Sequence, residues 1–302
     1  MTRRARTWLA ALVAPLAVSA PSPLGAVGAL ALGALVVLGG PGVRDGHASL
    51  LDDIKKRKEI VIATEAGYAP FEYVEGGKIV GYHADLLALV MRDLTAQGVR
   101  VNQLDLPFAS LLAGLQAKKY DMIATALFGT EERAKRFGFT VPTALGTTGL
   151  VTRANNTAIT KPDDLDGKIV GAPQATKYLD QMKALSEEFK KKGGQGIKEI
   201  KEYASGYTEI YADIDNGRID AAPNGLPNLA VLLKQQPGKY KLAGQLGDPT
   251  YFAWATRKED QDLLDYLNAQ LLKLKKAGVF NELQMKWFGF TMELPDVPTL
   301  GK

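Results

Sequence analysis

The chain has 302 residues, of which 46% are apolar and 23% are charged, a balance that is typical of globular proteins. Its formal net charge of +4 is concentrated at the start, because residues 1–48 contain four arginines against one aspartate. The remainder is therefore close to +1, which excludes the broad basic surface of a nucleic-acid-binding protein. With no cysteine and two histidines, disulfides and cysteine-ligated zinc are excluded, and a serine–histidine triad or a histidine metal site is hard to build.

The start of the chain has the composition of a secretory leader. Residues 2–6 carry three arginines, and residues 24–40 form an apolar run of 17. Gly46 and Ala48 then supply small residues for a signal-peptidase site. We predict that residues 1–48 are a signal peptide cleaved after Ala48, which directs the protein to the periplasm. Two alternatives stay open: an uncleaved membrane anchor, because the run is at the lower limit for a spanning helix, and twin-arginine export.

After the leader, short apolar runs alternate with segments of helical periodicity. The pattern predicts strands at 59–63, 99–104 and 121–125 and helices at 85–94 and 110–118, the last capped by Ser110. Strands that alternate with helices indicate parallel pairing and an α/β sheet.

The same alternation starts again after a turn-rich segment at 161–167. It predicts strands at 168–172 and 218–222 and helices at about 177–190 and 207–216. Two similar α/β halves in one chain predict two lobes. Ligands of such folds bind beyond the carboxyl ends of the strands, which here means the cleft between the lobes.

Six segments, in this order, resemble the family 3 solute-binding proteins, the polar-amino-acid receptors of bacterial ABC importers. They are 67–73 (GYAPFEY), 77–86 (GKIVGYHADL), 111–123 (LLAGLQAKKYDMI), 130–134 (TEERA), 217–222 (GRIDAA) and 286–289 (KWFG). Together they extend over nearly all of residues 55–290. His83 stands where an acidic residue is usual, and we expect it to be a surface histidine at the start of a helix.

The resemblance implies a two-lobed α/β architecture, the type II periplasmic-binding-protein fold. Lobe 1 would consist of residues 49–146 plus 250–302, and lobe 2 of residues 147–249. Two hinge strands would cross near 141–148 and 247–253, and the lobes would close around a ligand in the cleft.

The resemblance also implies a ligand site. Arg133 takes the position of the family's carboxylate-binding arginine, and a guanidinium holds a carboxylate through two parallel hydrogen bonds. Thr176 would donate to the same carboxylate from a loop that enters a helix, although Ala175 replaces a usual glycine in that loop. The complete set of implied ligand contacts is Tyr68, Phe108, Thr125, Leu127, Phe128, Arg133, Gln174, Thr176, Asn224 and Gly225.

Two departures from the family pattern concern the ligand's ammonium group. Gly225 stands where an aspartate is usual, and Phe128 stands where a hydroxyl residue is usual. A buried ammonium without a counter-charge costs several kcal/mol. Our hypothesis is that the ligand lacks a free α-ammonium or carries its amine elsewhere. A slip of one residue, which would bring Asn224 into reach, remains the alternative.

These inferences predict a monomeric, periplasmic substrate-binding component of an ABC importer that captures an amino acid or a related small carboxylate by lobe closure. We expect no catalytic residue, cofactor or metal. A membrane permease and an ATPase would be needed as partners, because the chain contains no Walker segment. The alternative is an exported enzyme on the same fold, similar to a cyclic-carboxylate dehydratase, for which Glu72 is the nearest candidate acid or base.

Overall fold

The computed structural model describes residues 49–204 and 206–301. The predicted signal peptide and its cleavage site, residues 1–48, lie outside the described residues. Within the described ranges, no helix is both long enough and apolar enough to cross a lipid bilayer. The same ranges contain no cluster of three or more His, Asp or Glu side chains that could hold a metal ion.

The first part of the chain forms helices around a mixed sheet. Its elements are α1 (Leu50–Arg57), β1 (Glu59–Thr64), β2 (Gly67–Tyr68), β3 (Glu72–Glu75), β4 (Lys78–Val80), α2 (Tyr82–Val90), α3 (Arg92–Ala96), β5 (Arg100–Asp105), α4 (Phe108–Gln116), β6 (Met122–Phe128), α5 (Glu131–Ala134), β7 (Phe137–Phe139) and β8 (Ala144–Leu145). Strand β1 pairs in parallel with β5 and β6, as the alternation of strands and helices predicts. Strands β2, β3 and β4 form a separate small antiparallel sheet.

The middle part of the chain builds a second sheet. Its elements are β9 (Thr148–Arg153), β10 (Ile169–Pro173), α6 (Lys177–Lys191), β11 (Glu199–Tyr203), α7 (Tyr207–Asp215), β12 (Ala221–Gly225), α8 (Leu226–Gln235) and β13 (Tyr240–Leu246). The strand order is β11-β10-β12-β9-β13. Strand β10 is parallel to β11 and β12, whereas β9 is antiparallel to β12 and β13.

The chain then returns to the first sheet. The returning elements are β14 (Tyr251–Arg257), α9 (Gln261–Lys276) and α10 (Val279–Trp287). Strand β14 lies antiparallel between β6 and β7 and completes the order β5-β1-β6-β14-β7, with β8 paired to β14. The chain therefore crosses between the sheets twice, at 146–147 and at 247–250. Gly146 N–H donates to the carbonyl of Thr250 at 2.7 Å, which ties the two crossings together.

One hydrophobic cluster runs through both halves of the molecule, which we call the first lobe (the sheet of β14) and the second lobe (the sheet of β12). Phe71 and Trp254 contribute to it from the first lobe, and Tyr178 and Ile210 from the second. Two smaller clusters are each confined to one lobe. Apolar surface is therefore buried between the lobes as well as within them, and this burial stabilises their close approach.

Local hydrogen bonds explain where two predicted elements differ from the observed ones. Ser110 does not cap α4: the helix begins two residues earlier, and the Ser110 hydroxyl donates to the carbonyl of Pro107 at 2.7 Å. The strand predicted at 218–222 is observed three residues later, as β12. The chain is still closing the preceding helix there, because Ile219 N–H donates to the carbonyl of Asp213 at 3.3 Å.

Candidate ligand-binding cleft

Strand ends from both lobes converge on a small cavity between them, which we call the inner cavity. Its volume is about 20 Å³. The residues that line it are Glu65, Tyr68, Phe108, Ala126, Phe128, Pro173, Thr176, Tyr178, Gly206 and Tyr207. A space of this volume holds little more than one water molecule, for which roughly 10–15 Å³ is needed. A solute of the size of an amino acid therefore requires the lobes to move apart before it enters.

Five aromatic rings line the inner cavity, and four of them, Tyr68, Phe128, Tyr178 and Tyr207, form a connected set. The rings of Phe128 and Tyr178 are nearly perpendicular, with centroids 5.2 Å apart and an interplanar angle of 83°. Tyr178 and Tyr207 are also nearly perpendicular, at 6.5 Å and 81°. Tyr68 lies 5.6 Å from Tyr207. Tyr68 and Phe128 come from the first lobe and the other two rings from the second, so closure of the lobes assembles an aromatic box.

The tyrosine hydroxyls of this box are bonded to protein groups across the cleft. Tyr68 donates to Oδ1 of Asn224 at 2.7 Å, and its hydroxyl lies 2.9 Å from that of Tyr178. Asn224 donates in turn to the hydroxyl of Tyr211 at 2.7 Å, and Tyr207 donates to the carbonyl of Pro223 at 2.8 Å. Burial raises the pKa of these phenols above the usual value, so they stay neutral. Asn224 thus takes part in the site through this network.

Polar groups of neighbouring residues surround the position that a side chain of residue 225 would take. A Cβ atom there would lie 2.9 Å from Oδ1 of Asn228, 3.1 Å from the Tyr178 hydroxyl and 3.2 Å from the Tyr68 hydroxyl. Asn228 donates across the cleft to the carbonyl of Ala69 at 2.8 Å, while its buried Oδ1 has no hydrogen-bond partner among the described residues. The place of an acidic side chain is thus occupied by an amide and two phenols.

Arg133 lies at the mouth of the cleft and bridges the lobes. Thr130 caps α5 and accepts from Arg133 N–H at 3.2 Å, which orients the short helix. The guanidinium donates from Nη1 to the carbonyl of Phe128 at 3.0 Å and from Nη2 to that of Ala175, in the second lobe, at 3.2 Å. Its Cζ lies 5.9 Å from the centroid of the Phe108 ring. The arginine therefore borders the inner cavity without lining it.

A second pocket, which we call the outer pocket, opens beside Arg133 and has a volume of about 390 Å³. It is lined by Thr130, Glu132, Arg133, Lys177, Asp180, Gln181 and Ala184. Burial lowers the pKa of Arg133 while Asp180 raises it, and burial and Arg133 lower the pKa of Lys177. An arginine stays charged under such shifts. The pocket is therefore lined by two basic side chains, Arg133 and Lys177, and by two carboxylates, Glu132 and Asp180.

Thr176 caps helix α6 and reaches the inner cavity. Its hydroxyl donates to the carbonyl of Pro173 at 2.8 Å and accepts from Leu179 N–H at 3.3 Å. Ala175 has a φ of 59°, in the left-handed region that favours glycine. The alanine therefore keeps the glycine-type backbone of the loop, and the amino end of the 15-residue helix faces the cleft, where its dipole favours an anion.

Four of the ten predicted contact residues, Tyr68, Phe108, Phe128 and Thr176, line the inner cavity, and six do not. Arg133 borders it, Asn224 and Gly225 belong to the hydrogen-bonded groups described above, and the other three are Thr125, Leu127 and Gln174. Thr125 is buried below it and donates its hydroxyl to Glu72. Leu127 packs in the hydrophobic core of the first lobe, because side chains alternate along β6 and its neighbours Ala126 and Phe128 point to the cavity. Gln174 uses its backbone N–H to bond the neighbouring strand β11.

Glu65 lines the inner cavity and was missed by the sequence analysis. It directly follows β1, and burial, followed by the charges of Glu72 and Asp105, raises its pKa to about 7. The available signal was positional: an acidic residue at the carboxyl end of a buried parallel strand is well placed for the ligand.

His83 is buried, so the expectation of a surface histidine is wrong. Nδ1 of His83 lies 2.8 Å from Oε2 of Glu72, and its Nε2 lies 3.0 Å from Oγ1 of Thr143, next to the crossing segments. Both the histidine and the glutamate are less than 2% exposed. Glu72 is therefore part of a buried network and does not line the inner cavity, which removes it as the acid or base of the enzyme alternative.

The sequence pattern of the bacterial extracellular solute-binding proteins, family 3, matches residues 60–290. The chain is 33% identical to the histidine-binding periplasmic protein of Escherichia coli K12, over 77% of this chain and 88% of that protein. It is 28% identical to the L-cystine-binding protein TcyJ of the same organism, over 80% of this chain and 86% of that protein.

Solved structures have the same fold. A mutant of the arginine-binding protein ArgBP from T. maritima superposes with a TM-score of 0.69 at 29% identity, over 79% of this chain and 99% of that one. An ancestral arginine-binding protein bound to arginine superposes with a TM-score of 0.69 at 27% identity, over 77% of this chain and 99% of that one.

Proposed function

Because the chain belongs to the bacterial extracellular solute-binding proteins, family 3, we propose that it captures an amino acid or a related small carboxylate for an ABC importer. The observation that carries this proposal is the position of Arg133. Its guanidinium spans the two lobes at the mouth of an aromatic cavity, through the carbonyls of Phe128 and Ala175. A carboxylate held there would contact both lobes at once and stabilise the closed form over the open one.

The fold supports binding by lobe closure. It is the two-lobed type II periplasmic-binding fold, and only two short segments, 146–147 and 247–250, cross between the lobes. Opening separates Tyr68 from Asn224 and Asn228 from Ala69. Their hydrogen bonds then exchange with water, and a ligand that enters replaces them with its own contacts. The inner cavity, at about 20 Å³, makes this opening obligatory.

The partners and location follow from the same proposal. The relative from Escherichia coli K12 at 33% identity is named a histidine-binding periplasmic protein, and one from Haemophilus influenzae, at 28% identity, a probable amino-acid ABC transporter-binding protein. For this chain we infer export through its amino-terminal leader, a periplasmic location, a monomeric state, and delivery of the ligand to a membrane permease driven by an ATPase. No catalytic step belongs to this function.

The test is a binding screen on the purified protein. Thermal shift is measured with L-histidine, L-arginine, L-cystine, the other common L-amino acids, and carboxylates that lack an α-amine, since a ligand that binds the native state raises the melting temperature. Removing one partner of a buried charged pair costs about 2–5 kcal/mol, so Arg133→Ala should weaken any ligand found by roughly thirtyfold or more.

Arg136→Ala is the matched control, because Arg136 lies three residues after Arg133, just beyond the end of α5, and is exposed. It should leave the affinity within about twofold of the original value. Stabilisation by none of the carboxylates would reject the proposed function. Equal losses in the two arginine variants would reject the assigned role of Arg133.

A second function, catalysis on the same fold, is favoured by one observation. The Glu65 carboxyl lines the inner cavity with a pKa of about 7, which suits a general acid or base near neutral pH. Incubation of the protein with each stabilising ligand, followed by mass spectrometry, separates the two functions. A binding protein returns its ligand unchanged, whereas conversion that stops in Glu65→Gln would identify an enzyme.

A further inference from the structure

The polar groups around the inner cavity give a ligand cation few charged partners. A primary ammonium carries three N–H donors, and each needs an acceptor once water is excluded. The hydroxyls of Tyr68, Tyr207 and Thr176 donate to protein carbonyl or amide oxygens, so each offers a ligand at most a neutral oxygen lone pair. Gly225 supplies no side chain at all. Among the described lining residues, Glu65 is the only carboxyl.

The rings around the same cavity are well suited to a cation that has no N–H groups. The Tyr178 ring lies at an interplanar angle above 80° to the Phe128 ring and also to the Tyr207 ring. The rings therefore face a common space from different sides. Aromatic faces attract cations through the ring quadrupole and need no hydrogen bond to do so. Two rings of the lining already have a protein cation within 6 Å: Lys177 Nζ lies 5.6 Å from the Phe128 centroid, and Arg133 Cζ lies 5.9 Å from that of Phe108.

Arg133, which would bind the ligand's carboxylate, lies close to the rings that would bind the ligand's cation. Phe108 and Phe128 line the inner cavity, and Arg133 contacts both, through the Phe108 ring and through the Phe128 carbonyl at 3.0 Å. A ligand that spans them must carry its carboxylate near its cationic nitrogen. The Glu65 carboxyl lines the same cavity, and a bound cation would favour its ionised form.

We propose that the ligand is a betaine, a small zwitterion whose carboxylate binds Arg133 and whose quaternary ammonium enters the box formed by Tyr68, Phe128, Tyr178 and Tyr207. This inference rests on the proposed function and names the substrate class of the same site. A quaternary ammonium has no N–H group, so it needs no hydrogen-bond acceptor from the lining. Its methyl groups bury apolar surface against the rings, and its charge contacts their faces.

The decisive experiment is a methylation series measured by isothermal titration calorimetry on the protein produced from its full chain with the leader. Glycine, sarcosine, N,N-dimethylglycine and glycine betaine share one carboxylate and differ only in methyl groups on nitrogen. L-proline and proline betaine form a second pair. We expect affinity to rise with each methyl group and each betaine to bind at least about tenfold more tightly than its parent amino acid.

L-Histidine, L-arginine and L-cystine are measured in the same experiment to separate two failures. Binding of any of these, or of glycine or L-proline, without tighter binding of a betaine would overturn the inference and leave the proposed function standing. Absence of binding by every compound of the series would overturn both.

A pair of variants tests whether the rings carry the effect. Tyr207→Leu removes a ring and Tyr207→Phe removes only a hydroxyl, so glycine betaine should bind roughly tenfold more weakly to the first and within about threefold of the original affinity to the second. Equal losses would assign the contact to the hydroxyl and overturn the ring mechanism. Phe128→Leu repeats the test from the other lobe. Melting curves without ligand verify that each variant is folded, and the methylation series needs no variant.

Discussion

The buried carboxylate of Glu72 gives a sharp test of how the cleft is held in place. It accepts hydrogen bonds from the Thr125 hydroxyl and from Ala126 N–H at 2.9 Å, and it lies 2.8 Å from Nδ1 of His83. His83 in turn contacts Thr143 beside the crossing segments. The network therefore joins β3, which carries Glu72, to the end of β6, which supplies Ala126 and Phe128 to the inner cavity.

The expected cost of Glu72→Ala follows from the groups it leaves behind. Each buried donor left without an acceptor costs about 1–3 kcal/mol, and Glu72→Ala leaves the Thr125 hydroxyl, Ala126 N–H and Nδ1 of His83 without their partner. Because these contributions overlap, we expect a loss of about 4 kcal/mol in the free energy of unfolding. Glu72→Gln keeps an oxygen for Ala126 N–H and places an amide beside Nδ1 of His83, so about 1–2 kcal/mol should be lost.

Urea unfolding followed by circular dichroism measures these free energies by linear extrapolation. Glu75→Ala is the matched control: Glu75 lies on the same strand, β3, but is exposed, and its replacement should change stability by less than about 0.5 kcal/mol. A loss of under 1 kcal/mol in Glu72→Ala, or equal losses in the alanine and glutamine variants, would refute the reasoning.

Three further predictions concern closure, pH and backbone geometry. Gly206→Ala places a Cβ 2.9 Å from the carbonyl oxygen of Gly67 in the other lobe, so it should hold the lobes further apart and increase the radius of gyration measured by small-angle X-ray scattering. Gly67→Ala is the control: no atom lies within 4 Å of its Cβ, so the radius of gyration should not change. Burial raises the pKa of Glu65 from 4.5 to about 7, so the contribution of this carboxyl to stability is complete below pH 4.5 and is lost as pH rises through 7. In urea titrations between pH 4.5 and 8, the free energy of unfolding of Glu65→Gln should therefore rise relative to wild type by at most about 3 kcal/mol. A difference that does not change with pH would contradict this. Gly81→Ala should lose at least about 2 kcal/mol in the same assay, because Gly81 has a φ of 125° and a Cβ there would lie 2.3 Å from the carbonyl of Phe71; unchanged stability would show that the loop relaxes.

Short-range patterns were sufficient for much of the fold. The alternation of strand and helix predicted two α/β units, and the resemblance placed the two crossings near where they are observed. The resemblance also placed Arg133 at the cleft, and Thr130, three residues earlier, caps the helix that carries it. Hydrophobic periodicity and capping act between neighbours in the chain, so a sequence displays them directly.

The residues at which helices and strands begin and end were harder to predict from the sequence, because they depend on individual hydrogen bonds. Ser110 has the composition of a cap, yet Pro107 precedes it and α4 begins earlier. Leu127 is one of the ligand contacts that the resemblance implied, but one position in β6 decides whether a side chain faces the cavity or the core.

The amino-acid sequence by itself determined the two-lobed α/β class, the order of its elements and the arginine at the cleft mouth. The tertiary structure alone decided that His83 is buried against Glu72, that Glu65 lines the inner cavity, and that the tyrosines form a box. Tyr68 meets Tyr178 across 110 residues of chain and Asn224 across 156. Such contacts depend on how two separately formed sheets pack against each other, and no local pattern of residues encodes that packing.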